Sequence, residues 1–171
     1  MKRRKATATK RTCGTVKVHL SVRGVRPTKK FKAALALRAR RMLRALSIEA
    51  PELSILLCDD GSMRTLNRDY RKQDKPTDVL AFPMGARPRS NASVLLGDVV
   101  ISLPTARRQA AGRGHDAMEE VTFLLAHGLL HLLGMDHRDP EEEESMMRYA
   151  CALWATSRRT LGHVDKSKAG Y

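Results

Sequence analysis

Val16, Val18, Leu20 and Val22 alternate with Lys17, His19, Ser21 and Arg23, the period-two pattern of a half-buried strand. After Pro27-Thr28 the period changes. Phe31, Leu35, Leu37, Met42, Leu43 and Leu46 recur at near-helical spacing among arginines, predicting an amphipathic helix with a basic outer face. Leu53 to Cys58 reads as a short apolar strand closed by Asp59-Asp60-Gly61, and Ser62 is placed to cap a helix reaching about Tyr70. A charged loop, Arg71 to Thr77, leads to a strand from Val79 to Phe82 that stops at Pro83. Beyond a loop rich in Pro, Arg, Ser and Asn, Val94 to Leu103 reads as a strand, with Gly97-Asp98 as a bulge or functional insertion.

Pro104 then opens a helix to about Ala111, and a second runs from about Asp116 to Leu133, where Gly134 supplies a natural stop. Asp139-Pro140 and the four glutamates after it form the acidic first turn of a last helix, reaching about Arg158. Strands and helices mix without a strict βαβ rhythm, so the expected class is α+β, a small mixed sheet packed with helices. One catalytic domain is expected over residues 15–160, between a basic disordered tail at 1–14 and a flexible tail at 161–171.

The chemistry concentrates at His127-Gly128-Leu129-Leu130-His131-Leu132-Leu133-Gly134-Met135-Asp136-His137. Residues four apart on a helix lie about 40° apart on one face, one turn along the axis. His127 and His131 therefore have the spacing to chelate one ion, at the end of a central helix that is otherwise apolar. A turn at Gly134 brings His137 back as a third ligand. Three neutral imidazoles leave a position for water, as catalytic zinc sites do, whereas structural sites fill four positions with protein ligands. Zinc proteases use the same first pair, but with a glutamate general base where this chain has Gly128, so peptide hydrolysis by that route is disfavoured. The pattern leaves the choice between zinc and another divalent ion open. His19, His115 and His163 show no ligand spacing.

Charge adds a partner class. Residues 1–48 hold sixteen Lys or Arg and no acid, while the other 123 residues hold sixteen bases and eighteen acids, so the net charge of +14 comes wholly from the amino-terminal quarter. Such a one-sided field attracts polyanions, nucleic acid ahead of a membrane surface, since residues 1–11 carry no large apolar side chain beyond Met1. No apolar block follows the opening basic residues, so neither a signal peptide nor a membrane span is expected. Cys13, Cys58 and Cys151, odd in number and widely spaced, read as incidental thiols of a reducing compartment. Arg71, Lys72, Asp74, Lys75, Thr77 and Asp78 form a second polar constellation in which a guanidinium could grip two phosphate oxygens. Asp98 and Asp136 are candidates for orienting a ligand imidazole.

Four ordered segments carry a resemblance: Leu66-Asn67-Arg68-Asp69-Tyr70-Arg71, Pro76-Thr77-Asp78-Val79-Leu80-Ala81-Phe82-Pro83, Leu96-Gly97-Asp98-Val99-Val100-Ile101-Ser102, and His127 through His137. Together, over about residues 53–146, the chain resembles the YbeY endoribonucleases, metal-dependent rRNA maturation factors. The resemblance implies one zinc ion held by His127, His131 and His137, and a functional role for Arg71. It further implies cytoplasmic cleavage of single-stranded RNA, 3′-end maturation of small-subunit 16S rRNA, ribosome quality control, and the ribosome or its proteins as partners. Ala81 and Met135 depart from the family pattern, where Ser and an aromatic residue are expected, without removing a ligand. The rival reading is a ribosome-associated RNA-binding factor with a structural metal; the third is a protease. The oligomeric state is not legible.

Overall fold

The computed structural model describes residues 15–85, 94–136 and 139–158. The two expected tails lie outside this range, as does His137. Among the described residues four strands and five helices follow in the order β1 (Lys17–Arg23), α1 (Lys29–Ala45), β2 (Pro51–Cys58), α2 (Asp60–Arg71), β3 (Val79–Pro83), β4 (Val94–Ser102), α3 (Leu103–Arg113), α4 (Ala117–Leu132) and α5 (Pro140–Arg158). The α+β class with a small mixed sheet is thus observed. Strand order is β1-β2-β4-β3; β1, β2 and β4 run parallel and β3 is an antiparallel edge.

The order lacks a strict βαβ rhythm, as expected, although β1, α1 and β2 form one parallel strand–helix–strand unit, because a parallel neighbour requires a crossover long enough for a helix. One local expectation, a cap, needs correction. Asp59, not Ser62, caps α2: its carboxylate accepts from the Ser62 backbone N–H at 2.7 Å, putting Ser62 inside the first turn. The other helix starts follow their sequence signals, with Thr28, Ser102 and Asp116 each accepting a backbone N–H at the cap position of α1, α3 and α4.

The sheet separates two apolar layers of unequal size. Leu53, Ile55 and Leu57 of β2 and Val99 and Ile101 of β4 meet Leu35, Met42 and Leu43 of α1 and Leu125 and Leu129 of α4 in the main core. On the opposite face Cys58, Val100 and Leu80 pack under Met63 of α2. The register of β4 slips by one residue between the Glu52–Leu95 and Leu53–Gly97 pairs, so the expected bulge is present. Gly97 there has φ +132°, and a Cβ would stand 2.1 Å from the Phe82 carbonyl oxygen, a site for glycine alone.

Candidate metal and phosphate site

Helix α4 is apolar around most of its circumference, as an element buried against β3, β4, α3 and α5 must be. His127 and His131 lie on its one half-open stripe. Their Nε2 atoms stand 3.2 Å apart, with ring planes at 80° and centroids 4.8 Å apart. Two nitrogens sharing a tetrahedral ion at 2.0–2.1 Å would lie about 3.3 Å apart. The imidazole pair therefore fits one small divalent cation with little rearrangement. Among the described residues no group of three or more His, Cys, Asp or Glu side chains gathers into a fuller ligand set. The third sequence candidate, His137, lies outside those residues.

The end of α4 is built as its sequence predicts. Gly134 adopts φ +84°, its N–H bonds the His131 carbonyl, and the Met135 N–H bonds the Leu130 carbonyl, both at 3.0 Å. This paired closure satisfies carbonyls the last turn would leave orphaned. It turns Met135 and Asp136 back to line one open cavity with the two histidines.

Position 128 explains the missing protease base. Gly128 is buried, and a Cβ on it would lie 2.7 Å from Cγ1 of Val99. The glycine backbone borders the histidine cavity, but a side chain at this position would start against Val99 of β4. A glutamate there would be driven into the sheet, so the protease reading has no support in this packing.

Arg71, the last residue of α2, enters the same cavity from the other side. The cavity measures about 550 Å³ and is lined by Arg71, Thr77, Asp78, His127, His131 and Asp136 among others. Lys72 takes a left-handed backbone, φ +59°, that turns the chain at the end of α2. The loop is then tied down. Buried Asn67 donates to the Lys75 carbonyl at 2.7 Å, and Arg64 grips Asp74 through two bonds of 2.8 and 2.7 Å. That guanidinium holds the Asp74 carboxyl below the usual carboxylate range. Arg71 has no carboxylate partner among the described residues, so its guanidinium is available to an anion.

Not all of the second constellation converges. Asp74 turns to Arg64, and the Lys72 ammonium donates to the Asp69 carbonyl. Asp78 lines the cavity, but its oxygens accept from the Val79 N–H and the Gln109 amide, anchoring the start of β3 to α3. Sequence reasoning missed Asn67 and Gln109 as the fasteners of this wall; the only signal was a polar residue at an inward helical position. Asp136 stays near the histidines. Asp98 does not: it lies on the sheet face opposite Val99 and α4, and the expectation that it orients a ligand imidazole is incorrect. Both faces of β4 are apolar at Val99, Val100 and Ile101, so alternation gave no sign of which way Asp98 points.

Residues 21–156 match the family described as "Endoribonuclease YbeY". This chain belongs to that family. The Aquifex aeolicus endoribonuclease YbeY is 48% identical over 143 residues, covering 83% of this chain and 90% of that protein. The protein of the same name from Persephonella marina is 47% identical over 121 residues, 70% of this chain and 76% of its own length. A solution structure of TM1509 from Thermotoga maritima covers 84% of this chain and 98% of its own with a TM-score of 0.53; at 21% identity the likeness is one of fold. The YbeY match spans Arg71 and both histidines of the cavity. No helix among the described residues is long and apolar enough to cross a membrane.

Proposed function

We propose that this chain is a zinc-dependent endoribonuclease that cuts single-stranded RNA. Its place is the cytoplasm, in 3′-end maturation of 16S rRNA and ribosome quality control, with the ribosome or its proteins as partners. The observation that carries the reading is the convergence, in one open cavity of a YbeY-family chain, of two imidazole nitrogens 3.2 Å apart and a guanidinium that has no carboxylate partner among the described residues. His127 and His131, with His137 following the turn at Gly134, would hold the ion. When bound, it supplies Lewis-acid polarisation of a phosphoryl oxygen and a lowered pKa for water.

The protein's own residues supply the rest. Arg71 binds two non-bridging oxygens of one phosphate at once and offsets the charge on them as the attacking oxygen adds to phosphorus and the leaving oxygen departs. The tied loop fixes the backbone beside Arg71, so the ordering left when RNA binds is that of its side chain alone. Leu129, Leu130 and Leu132 keep the back of α4 dry and fix the two rings relative to the sheet. Against the rival of a structural metal stands the open cavity beside the pair: a purely structural site has no use for adjoining solvent space and an available arginine.

The test is cleavage of labelled RNA carrying the 16S 3′ precursor end, by protein whose metal content is measured on the same sample. Cutting of single strands, stopped by a chelator and restored by zinc, is expected, with no cutting of the same sequence in a duplex. Cleavage that survives chelation and metal depletion would overturn the proposal. Cyclic 2′,3′-phosphate ends would show that a ribose hydroxyl, and not water, attacks.

A further inference from the structure

The sheet face turned away from α4 carries a second cavity of about 530 Å³, and it adjoins the histidine cavity across the edge strand. On β3 the side chains alternate: Val79 and Ala81 face α4 and the histidines, Leu80 and Phe82 face the other way, and Pro83 borders both cavities. Phe82 meets Tyr70 edge-on, with ring centroids 4.9 Å apart at 66°. Tyr70 precedes Arg71 in the last turn of α2 and is 67% exposed, unusual for a large aromatic ring that already has an aromatic neighbour. Two adjacent residues thus serve two adjoining cavities, a cation in one and an aromatic surface in the other.

From this juxtaposition we infer that Tyr70 and Phe82 form a stacking platform for an unpaired nucleobase of the RNA strand whose phosphate sits at Arg71. The inference rests on the reading of the chain as an RNA-cleaving enzyme and adds to it where the strand goes next. A strand that leaves Arg71 over Pro83 crosses the sheet at its β3 edge, where among the described residues β3 pairs with β4 alone. It then meets rings whose faces attract any base without reading its sequence. The groove also offers polar groups to a base edge. Asp98, the direct cross-strand partner of Phe82, accepts from a base amino group, and Arg23, which lines the same groove, donates to a base carbonyl. With the base held there, its phosphate stays at the rim with Arg71. A base paired in a duplex cannot present its face to the rings, so the platform accounts for preference for single strands.

The experiment uses the full chain in chelator, so that RNA binds uncut, with labelled single-stranded oligonucleotides followed by anisotropy. Tyr70→Ala is expected to weaken binding about 5- to 150-fold, the range for removing one stacking ring, while Tyr70→Phe keeps it within about twofold. In a parallel arm, 5-iodouridine is placed at successive positions, and irradiation should crosslink one position to Tyr70 or Phe82. Binding that Arg71→Ala weakens but Tyr70→Ala leaves unchanged, with crosslinks elsewhere, would overturn the platform and leave the nuclease reading intact. No RNA binding by the wild-type chain, with no cleavage when metal is restored, would remove both. Unchanged RNA affinity together with lost binding of a basic ribosomal protein by Tyr70→Ala would reassign the groove to a protein partner.

Discussion

Gly128→Ala sets two physical effects against each other. In an exposed helix the change stabilises by about 1 kcal/mol, because alanine loses less backbone freedom on folding. Here the added Cβ would lie 2.7 and 3.3 Å from the two Cγ atoms of Val99 and 3.4 Å from Cγ2 of Val79. Ordinary carbon contacts are about 3.5–4.0 Å, so the closest pair overlaps by about 1 Å. Val99 is β-branched, fully buried and held in β4, and cannot swing aside cheaply. Overpacking of this kind costs about 1–3 kcal/mol, which leaves a net loss of about 1 kcal/mol. For a chain of this length that lowers Tm by about 2–4 °C. Thermal unfolding by circular dichroism reads it directly. Val99→Ala destabilises on its own by opening a cavity, but in the double variant the new Cβ occupies part of that space. The two changes should therefore couple favourably by about 1 kcal/mol. A Tm that rises in Gly128→Ala, or strict additivity with Val99→Ala, would show that α4 does not lie against β4 as described.

Arg71→Lys keeps the charge and loses the two-pronged grip, so kcat/KM for RNA should fall about 10- to 100-fold with thermal stability unchanged; equal activity would remove Arg71 from phosphate binding. Asn67→Ala strands the Lys75 carbonyl and should cost about 1–3 kcal/mol in urea unfolding, whereas no loss would mean the loop is held by other contacts. Burial, with the Asp59 charge adding to it, pushes the Cys58 thiol up to about 12. The folded state thus keeps a proton that the unfolded chain releases near pH 8.5. This contribution to stability is whole below that pH and is lost as pH rises towards 12. At pH 8 exposed Cys151 should react with a thiol reagent in the native protein and Cys58 only after unfolding; a fast-reacting native Cys58 would contradict the packing of α2 on the sheet.

The parts of this structure that could be read from the chain are those set by local chemistry. The position of Gly134 announced the end of α4, the four-residue spacing of His127 and His131 announced their convergence, and the Leu53–Cys58 run announced β2. What could not be read depends on partners distant in sequence. The insertion of β4 between β2 and β3 is decided by pairing, and the resulting burial of both its faces erased the alternation that would have placed Asp98. The competition between Asp59 and Ser62 for the cap is settled by a single hydrogen bond, and both are acceptable capping residues. Arg71 was visible as a basic residue in a polar loop, but its arrival beside the histidines requires the sheet to bring α2 and α4 to opposite sides of β3.

Whether the imidazoles of α4 hold the ion on which RNA cleavage depends is decided by His131→Ala, with bound metal and cleavage measured on the same folded sample. About one zinc per wild-type chain is expected, and a variant of wild-type secondary structure that has lost both the metal and the cutting of single-stranded RNA. A rigorously purified His131→Ala protein that still cuts at the wild-type rate would contradict that role of the imidazoles.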